Sequence, residues 1–513
     1  MFARNVRLGF QVGLVAGAAA GLVSVVARLA LGVPTVPELV LDQLTILVPP
    51  ALFAFILDRL LFLAKPLVMA GIVVGQLLLS GALGALYGRV LDAFRPSTRS
   101  DRLRLALGLG GVVWILAIVG LLPLLGAGLF GAETPVGAAV MSATLLVAAL
   151  TYGLGLAFVG DWGAEAAAGT DREASPGRRR LLRALGWGAV AVAAGAIVLH
   201  AVSLLASNAA ATLSSRRPPG RLPPEVTPTG DFYVVSKNLA DPAVDGAKWS
   251  LEVTGLVERP ITLDYGQLTA LPAVEQYVTL ECISNAVGGD LISNANWKGA
   301  PLRDLLEMAG PRPGIRKVVL TATDGYEDSI PFERAMNPAS LLAWEMNGEK
   351  LPPAHGFPAR LLVPGIYGMK NVKWVTAIQL VDYDFKGYWQ QRGWSDEALV
   401  KTMSRIDVPS GSEGLPAGSL PVGGIAFSGD RGIGGVEVSV DGGKTWQRAA
   451  VKQALSPYTW VLWMFDWRAP PGRHNLLVRA ADMSGQLQEA QETDTLPDGV
   501  SGYYSIVVRV EPG

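Results

Sequence analysis

One cysteine, Cys282, and three histidines are the only soft metal-binding side chains, methionine aside, in 513 residues. A single cysteine excludes an intrachain disulfide, an all-cysteine structural zinc site and an iron–sulfur cluster. Three histidines leave little room for a histidine-rich metal centre. Charge is scarce too: 17% of residues are Asp, Glu, Lys or Arg, against about 25% in a typical soluble chain. The shortfall is uneven. Residues 1–210 hold 15 Lys/Arg and 10 Asp/Glu, which is 25 of the chain's 87 charges. The formal net charge of −1 removes the main argument for nucleic-acid binding, which needs a clustered basic face. The length implies about three domains: a membrane-like front part and a water-soluble remainder.

Apolar runs of about 20 residues are long enough to cross a bilayer as helices. Five stand out: Leu8–Val26, Pro66–Tyr87, Leu105–Phe130, Val136–Val159 and Ala184–Ala206. They are rich in glycine and alanine, as close helix packing in lipid requires. A sixth run, Leu44–Leu57, has 14 residues and contains Pro49-Pro50; it reads as a broken span or a re-entrant or interfacial segment. Basic loops set orientation. Arg89, Arg95, Arg99, Arg102 and Arg104 lie on one side, as do Arg172, Arg178, Arg179, Arg180 and Arg183, while Gly131–Pro135 carries only Glu133. Both basic loops are expected in the cytoplasm, which puts residues 211–513 outside, in the periplasm or cell exterior. The run Arg178–Arg183 before a mildly hydrophobic span fits either positive-inside anchoring or a twin-arginine export signal. His200 is the single histidine of the spans, one ligand short of a bis-histidine haem, so the front part reads as an anchor.

A polar, proline-rich tether is expected over residues 211–228. Beyond it, Trp249–Gly255, Pro260–Leu263, Gln276–Glu281, Lys317–Thr323, Ala359–Val363 and Val372–Val381 read as strands, and Pro301–Met308 as a short helix. This mixture predicts an α+β domain over residues 229–406. From Asp407 onward helix signals vanish. Val436, Val438 and Val440 alternate with polar residues, Asp441-Gly442-Gly443 supplies a turn, and Thr445–Val451 returns. Tyr458–Trp467, Asn475–Ala481 and Tyr504–Val510 continue the series, predicting a β-sandwich over residues 407–513.

Cys282 ends a strand and enters Ile283-Ser284-Asn285-Ala286-Val287-Gly288-Gly289, a loop in which a thiolate can approach a cofactor. Taken alone, a buried inert cysteine explains it as well. Two further stretches bear on the choice. His355 and Arg360 lie five apart in a proline-stiffened loop. Val363–Trp374 is a glycine-containing turn leading into a basic strand, where backbone amides and fixed cations suit a phosphate.

At these residues the sequence resembles the sulfite oxidase family of molybdenum enzymes. The elements that carry the resemblance are Phe232-Tyr233, Leu280-Glu281-Cys282, Trp297–Leu302, Ser329-Ile330-Pro331, Glu345–Gly348, the His355–Arg360 loop, Val363-Pro364-Gly365, Asn371–Trp374 and Tyr388-Trp389-Gln390. Val436–Trp446 looks like that family's immunoglobulin-like dimerisation domain. The resemblance runs in order over Asp231–Val510. It implies a Mo-molybdopterin cofactor with Cys282 as the thiolate ligand of molybdenum. It also implies that Asp324, His355, Arg360, Asn371, Val372 and Lys373 hold the pterin and its phosphate, with Tyr233 and Val234 touching the cofactor. A soft thiolate suits a high-valent metal held by a dithiolene, and Arg360 with Lys373 suits a buried phosphate. The competing roles are an Arg–carboxylate pair for Arg360 and a turn cap for Asp324.

The sequence also departs from the family. Sulfite-oxidising members surround the metal with arginines, where this chain has Val234-Val235-Ser236 and Asn285-Ala286-Val287; the active-site tyrosine aligns with Trp394. Without those cations a dianion binds weakly, since its desolvation needs local positive charge. Arg392, Arg431 and Lys237 are candidate substitutes. The expectation is a membrane-anchored oxidoreductase performing oxygen-atom transfer on sulfite or on a small or protein-bound S-oxide or N-oxide. It would exchange electrons with a separate quinone system or cytochrome and dimerise as its family does. The contrasting expectation is a cofactor-free, membrane-tethered binding or assembly module.

Overall fold

The computed structural model describes residues 2–165 and 220–512, apart from 48–49, 95, 97, 135, 239–240, 243 and 412–413. The chain divides into two compact units, Met1–Ser207 and Asn208–Gly513.

The first unit is helical: Phe2–Leu31, Val36–Leu47, Pro50–Phe94, Arg99–Leu116 and Gly137–Glu165. Four stretches, Val6–Leu31, Leu67–Phe94, Arg99–Leu124 and Gly137–Ala157, are long and apolar enough to cross a membrane by length and composition. They coincide with the first four expected spans. The fifth, Ala184–Ala206, with the arginine run 178–183 and His200, lies outside the described residues. The run Leu44–Leu57 covers the end of Val36–Leu47, the start of Pro50–Phe94 and residues 48–49, which lie outside the described residues. Helix packing is close where side chains are small. A Cβ on Gly13 would collide with the Ser80 carbonyl, and one on Gly84 with the Gly9 carbonyl. The Tyr152 hydroxyl donates to the Ser80 carbonyl at 2.6 Å, joining a third helix to this contact.

The second unit holds four sheets among its described residues. Its strands are β1 (Ser250–Gly255), β2 (Ile261–Asp264), β3 (Val274–Glu281), β4 (Ile292–Pro301), β5 (Lys317–Ala322), β6 (Glu327–Pro331), β7 (Leu341–Met346), β8 (Glu349–Lys350), β9 (Arg360–Leu362) and β10 (Val375–Val381). They continue as β11 (Met403–Val408), β12 (Gly414–Pro416), β13 (Gly418–Phe427), β14 (Ile433–Ser439), β15 (Gln447–Arg448), β16 (Ala450–Val451), β17 (Val461–Ala469), β18 (Gly472–Asp482) and β19 (Tyr504–Glu511). One sheet runs β2-β1-β10-β5-β6, with β1 parallel to β10 and the other pairs antiparallel. A second runs β3-β4-β7-β8, with β9 on β7. Helix Leu302–Ala309 buries Leu302, Leu305, Leu306 and Ala309 in the core shared with the first sheet, the i, i+3, i+4, i+7 spacing of a one-sided helix. This is the expected α+β texture.

The remaining sheets, β11-β13-β17-β16 and β12-β19-β18-β14-β15, share one core that includes Val422, Trp463, Val438 and Val478. The expected return strand Thr445–Val451 is two short strands: β15 pairs with β14, and β16 with β17 of the other sheet. The C-terminal sheets also begin before residue 407, because β11 starts at Met403 and pairs with β13. The end of the expected tether is docked rather than free. Asn294 Nδ2 donates to the Glu225 carbonyl at 2.7 Å, and the Thr227 amide to the Asn294 carbonyl at 2.8 Å.

Candidate active site

Cys282 follows β3, the edge strand of its sheet, and is 9% exposed. Its Sγ lies 3.0 Å from Ser284 Oγ, and its amide donates to the Leu291 carbonyl at 2.9 Å. Burial pushes the thiol up, so its anionic form requires a cation or metal. Asn285 bridges the loop that follows: Nδ2 donates to Glu281 Oε1 at 2.9 Å, and Oδ1 accepts the Leu291 amide at 3.0 Å. Burial raises the Glu281 carboxyl to about 7. Its other oxygen has no hydrogen-bond partner among the described residues.

Across the site, Arg360 opens β9 and is 5% exposed. Its Nη1 donates to the His355 carbonyl at 3.1 Å and its Nη2 to the Asn371 carbonyl at 3.2 Å. The guanidinium lies over the Trp297 ring, 5.2 Å from its centroid. Its buried Nε has no hydrogen-bond partner, and no carboxylate pairs with it among the described residues. Burial lowers its pKa to about 10. Lys373 donates to the Ala354 carbonyl at 3.0 Å and to the Val235 carbonyl at 3.4 Å. Gly356, at φ 110°, lets these cations approach: a Cβ there would lie 3.0 Å from Arg360 Cβ and 3.1 Å from Lys373 Cβ. His355 is lowered to about 4, first by burial and then by Arg360 and Lys373. Two cations, Arg360 and Lys373, and a neutral imidazole thus meet at one cradle, which is the pattern of an anion site.

Tyr233 connects the cradle to the thiol. Its ring stacks on Phe232 at 5.5 Å, and Phe232 meets His355 edge-on at 5.3 Å. The hydroxyl is so close to Gly368 that a Cβ there would lie 2.6 Å from it. Burial raises its pKa, Cys282 adds to the rise, and Arg360 opposes it. Asn371, 2% exposed, accepts the Val363 amide at 2.7 Å and donates to the Tyr367 carbonyl at 3.1 Å, which fixes the turn that carries Val372 and Lys373. Asp324 lies in a turn whose Thr323 amide donates to the Trp374 carbonyl at 2.9 Å. It accepts from Asn238 Nδ2 at 2.6 Å and from the Tyr326 amide at 3.1 Å, and pairs with Lys237 at 3.5 Å; the turn-capping role is thus filled.

The expected pocket residues are placed differently from one another. Ala286 and Val287 line a cavity with Asn285, Glu281, Tyr367 and Lys401. Val235 is exposed. Trp394 is buried against Trp389, 5.6 Å between rings. Val234 is half-buried beside Tyr233. The candidate substitute cations are engaged elsewhere. Arg431 pairs with Asp482 at 3.2 Å and Lys237 with Asp324, while Arg392 donates to the Tyr388 carbonyl and stacks on its ring at 3.5 Å.

Sequence reasoning missed Lys370 and Arg405. Lys370 lies inside the Val363–Trp374 stretch, yet is 1% exposed and bonds Asp328 at 3.0 Å, Asp396 at 2.9 Å and the Ser329 carbonyl at 2.9 Å. Arg405 and Asp407 are opposite charges two apart on a strand, hence on one face; that spacing was the available signal.

The family described as "Oxidoreductase molybdopterin binding domain" matches residues 238–389, and "Mo-co oxidoreductase dimerisation domain" matches residues 399–511. Sulfite oxidase of Gallus gallus is 31% identical over 340 residues, covering 56% of this chain and 72% of that protein. The chain belongs to the sulfite oxidase family. It is a molybdopterin-dependent oxidoreductase whose cofactor is Mo-molybdopterin, with a sulfite-oxidase-type molybdopterin domain and a sheet-rich C-terminal part. Human mitochondrial sulfite oxidase is 31% identical over 326 residues, 53% of this chain and 60% of that one. Among solved structures, the sulfane dehydrogenase SoxCD from Paracoccus pantotrophus has a TM-score of 0.51 at 25% identity, covering 56% of this chain and 84% of that chain. The dimerisation-domain match points to a homodimer. The residues present fit the cofactor: a buried guanidinium with an unpartnered Nε and no carboxylate is the donor set a phosphate-bearing pterin requires.

Proposed function

We propose that this chain is a membrane-anchored molybdenum oxidoreductase that carries out two-electron oxygen-atom transfer, preferring a neutral sulfur or nitrogen oxide to sulfite. In this reading Cys282 is the thiolate ligand of the metal. Arg360, His355 and Lys373 hold the cofactor phosphate, and Asn371, Val372, Tyr233 and Val234 shape the pterin pocket. Asp324 supports it from the neighbouring turn. The bound cofactor supplies the redox chemistry; the protein sets geometry, access and charge. The observation that carries the reading is the buried Arg360 guanidinium, whose Nε has no hydrogen-bond partner and with which no carboxylate pairs among the described residues.

The substrate preference rests on charge. Ala286 and Val287 bound the loop beyond Cys282, and Lys237 and Arg431 are already paired with carboxylates. Lys401 is the cation lining the cavity beside Ala286 and Val287 among the described residues, and its ammonium donates to the Gly499 carbonyl at 2.8 Å. A dianion meets one lysine there rather than a cluster of arginines, whereas a neutral oxide has no such desolvation cost. Asn285, Val235 and Trp394 complete the substrate surroundings in this reading. The four apolar stretches support anchoring, and the positive-inside rule applied to the basic loops favours the periplasm or cell exterior for the catalytic part, where in this reading a quinone system or cytochrome exchanges electrons with it. The C-terminal sheets are taken as an immunoglobulin-like dimerisation module.

Metal analysis with paired turnover assays tests the proposal. About one molybdenum per chain is expected in protein from cofactor-competent cells, and none in Cys282→Ala. Sulfoxide reduction with an artificial donor should exceed sulfite oxidation with an artificial acceptor. Efficient sulfite turnover at micromolar substrate would overturn the substrate preference, and absence of molybdenum the enzyme itself. A reporter fused after Gly513 should be active only outside the cytoplasm.

A further inference from the structure

The loop after Cys282 is held from outside by the C-terminal sheets. Arg405, on β11, donates Nη1 to the Gly289 carbonyl at 2.5 Å and Nε to Asp407 Oδ1 at 2.9 Å. The two side chains are 3% and 0% exposed. Gly288, at φ 73°, lies against the Tyr504 ring of β19, where a Cβ would collide. Within the loop, the Gly289 amide donates to the Ala286 carbonyl at 2.8 Å and the Asn285 amide to the Cys282 carbonyl at 2.9 Å. Displacing Gly289 therefore disturbs the turn that starts at Cys282.

A buried ion pair adds little net stability over apolar residues of the same volume. What an apolar pair would not supply is a charged donor aimed at the Gly289 carbonyl. We propose that Arg405 is a positioning residue for the Cys282 thiol. Braced by Asp407, it fixes Gly289 and, through the 282–289 turn, the direction in which the sulfur points. This rests on the reading of Cys282 as the metal thiolate. It gives the C-terminal sheets a part in assembling the metal site, separate from any part in dimerisation.

Because Cys282 is the single cysteine of the chain, its reactivity is read without ambiguity. The test is the rate of iodoacetamide alkylation of the full-length, cofactor-free protein, followed by mass, in the parent, Arg405→Met and Arg405→Lys. Losing one charge-assisted hydrogen bond should speed alkylation about tenfold in Arg405→Met, while Arg405→Lys, which keeps a donor, stays within about threefold of the parent. In the molybdenum-loaded protein the thiolate-to-metal charge-transfer band should shift in Arg405→Met and return in Arg405→Lys. An unchanged rate in folded Arg405→Met overturns the inference, as do equal rises in both variants, which would signal general loosening. If Arg405→Met fails to fold, Asp407→Asn loosens the brace instead: faster alkylation supports the inference and the parent rate overturns it. The metal content of Cys282→Ala decides the underlying reading independently, so the two failures are distinguishable.

Discussion

Arg360 and His355 are bound to each other through the backbone, not through charge. The guanidinium donates to the His355 carbonyl at 3.1 Å, while the imidazole is kept neutral by burial and by the cations around it. His355 Nε2 lies 3.2 Å from the Thr229 carbonyl, so the neutral ring is oriented as well as buried.

This arrangement sets a pH dependence. The folded pKa of His355 is about 4, below the ordinary 6.5, so the unfolded chain binds more protons between those values. Stability of the cofactor-free protein should therefore fall as pH drops from about 6.5 to about 4. Denaturant unfolding across that window checks the slope, and replacing His355 with Gln should remove this contribution.

Arg360→Met should separate folding from loading. It removes a buried cation that no carboxylate pairs with among the described residues, so the cofactor-free protein should lose little stability or gain some. Affinity for the phosphate-bearing cofactor should fall at least about tenfold with the loss of a charge-assisted contact. Unfolding midpoints and molybdenum content report the two effects separately.

Lys370→Met should behave in the opposite way. Lys370 and Asp328, 3.0 Å apart, are 1% and 0% exposed in their side chains. Removing the ammonium leaves a carboxylate whose pKa burial already raises. The expected loss is about 3–5 kcal/mol of stability, read from chemical denaturation, and Lys370→Met with Asp328→Asn should recover part of it.

Val287→Arg tests the substrate assignment by restoring charge. Val287 borders the cavity beside the Cys282 loop. An arginine there should lower the KM for sulfite about tenfold, the order of one charge-assisted hydrogen bond, without a matching gain for a neutral sulfoxide. Steady-state kinetics with both substrates measure the difference.

The legible parts of this molecule are those with a local signature. The strand into Cys282 was expected at Gln276–Glu281 and runs Val274–Glu281; the helix after Trp297 was shifted by one residue. Several strands were not expected, among them β6, β7, β11, β13 and, beside the site, β4. Its Ser293, Asn294 and Asn296 look like a loop, yet Asn294 is 0% exposed, satisfied by Glu225 and by Thr279 at 3.1 Å. Those partners are far away in sequence, so no local pattern announces them. The strand expected from Val372 starts at Val375, because Asn371 and Lys370 are used to build the cradle turn and Trp374 takes φ 54°. In the site, motif order led to Cys282, His355, Arg360 and Lys373. The buried carboxylate partners of Lys370 and the reach of Arg405 to Gly289 depend on tertiary contacts alone.

β3 has one more consequence. It is an edge strand, and the segment before β17 completes its open side: the Thr279 amide donates to the Tyr458 carbonyl at 3.0 Å, and Ser456 Oγ to the Tyr277 carbonyl at 2.6 Å. A chain cut ahead of β11 would bare that edge, with its unpaired amides and carbonyls, directly beside the cysteine loop. Exposed edges of this kind recruit other chains. The catalytic part of this protein is thus not a detachable module: removing the C-terminal sheets would turn the strand that presents Cys282 into a site of aggregation.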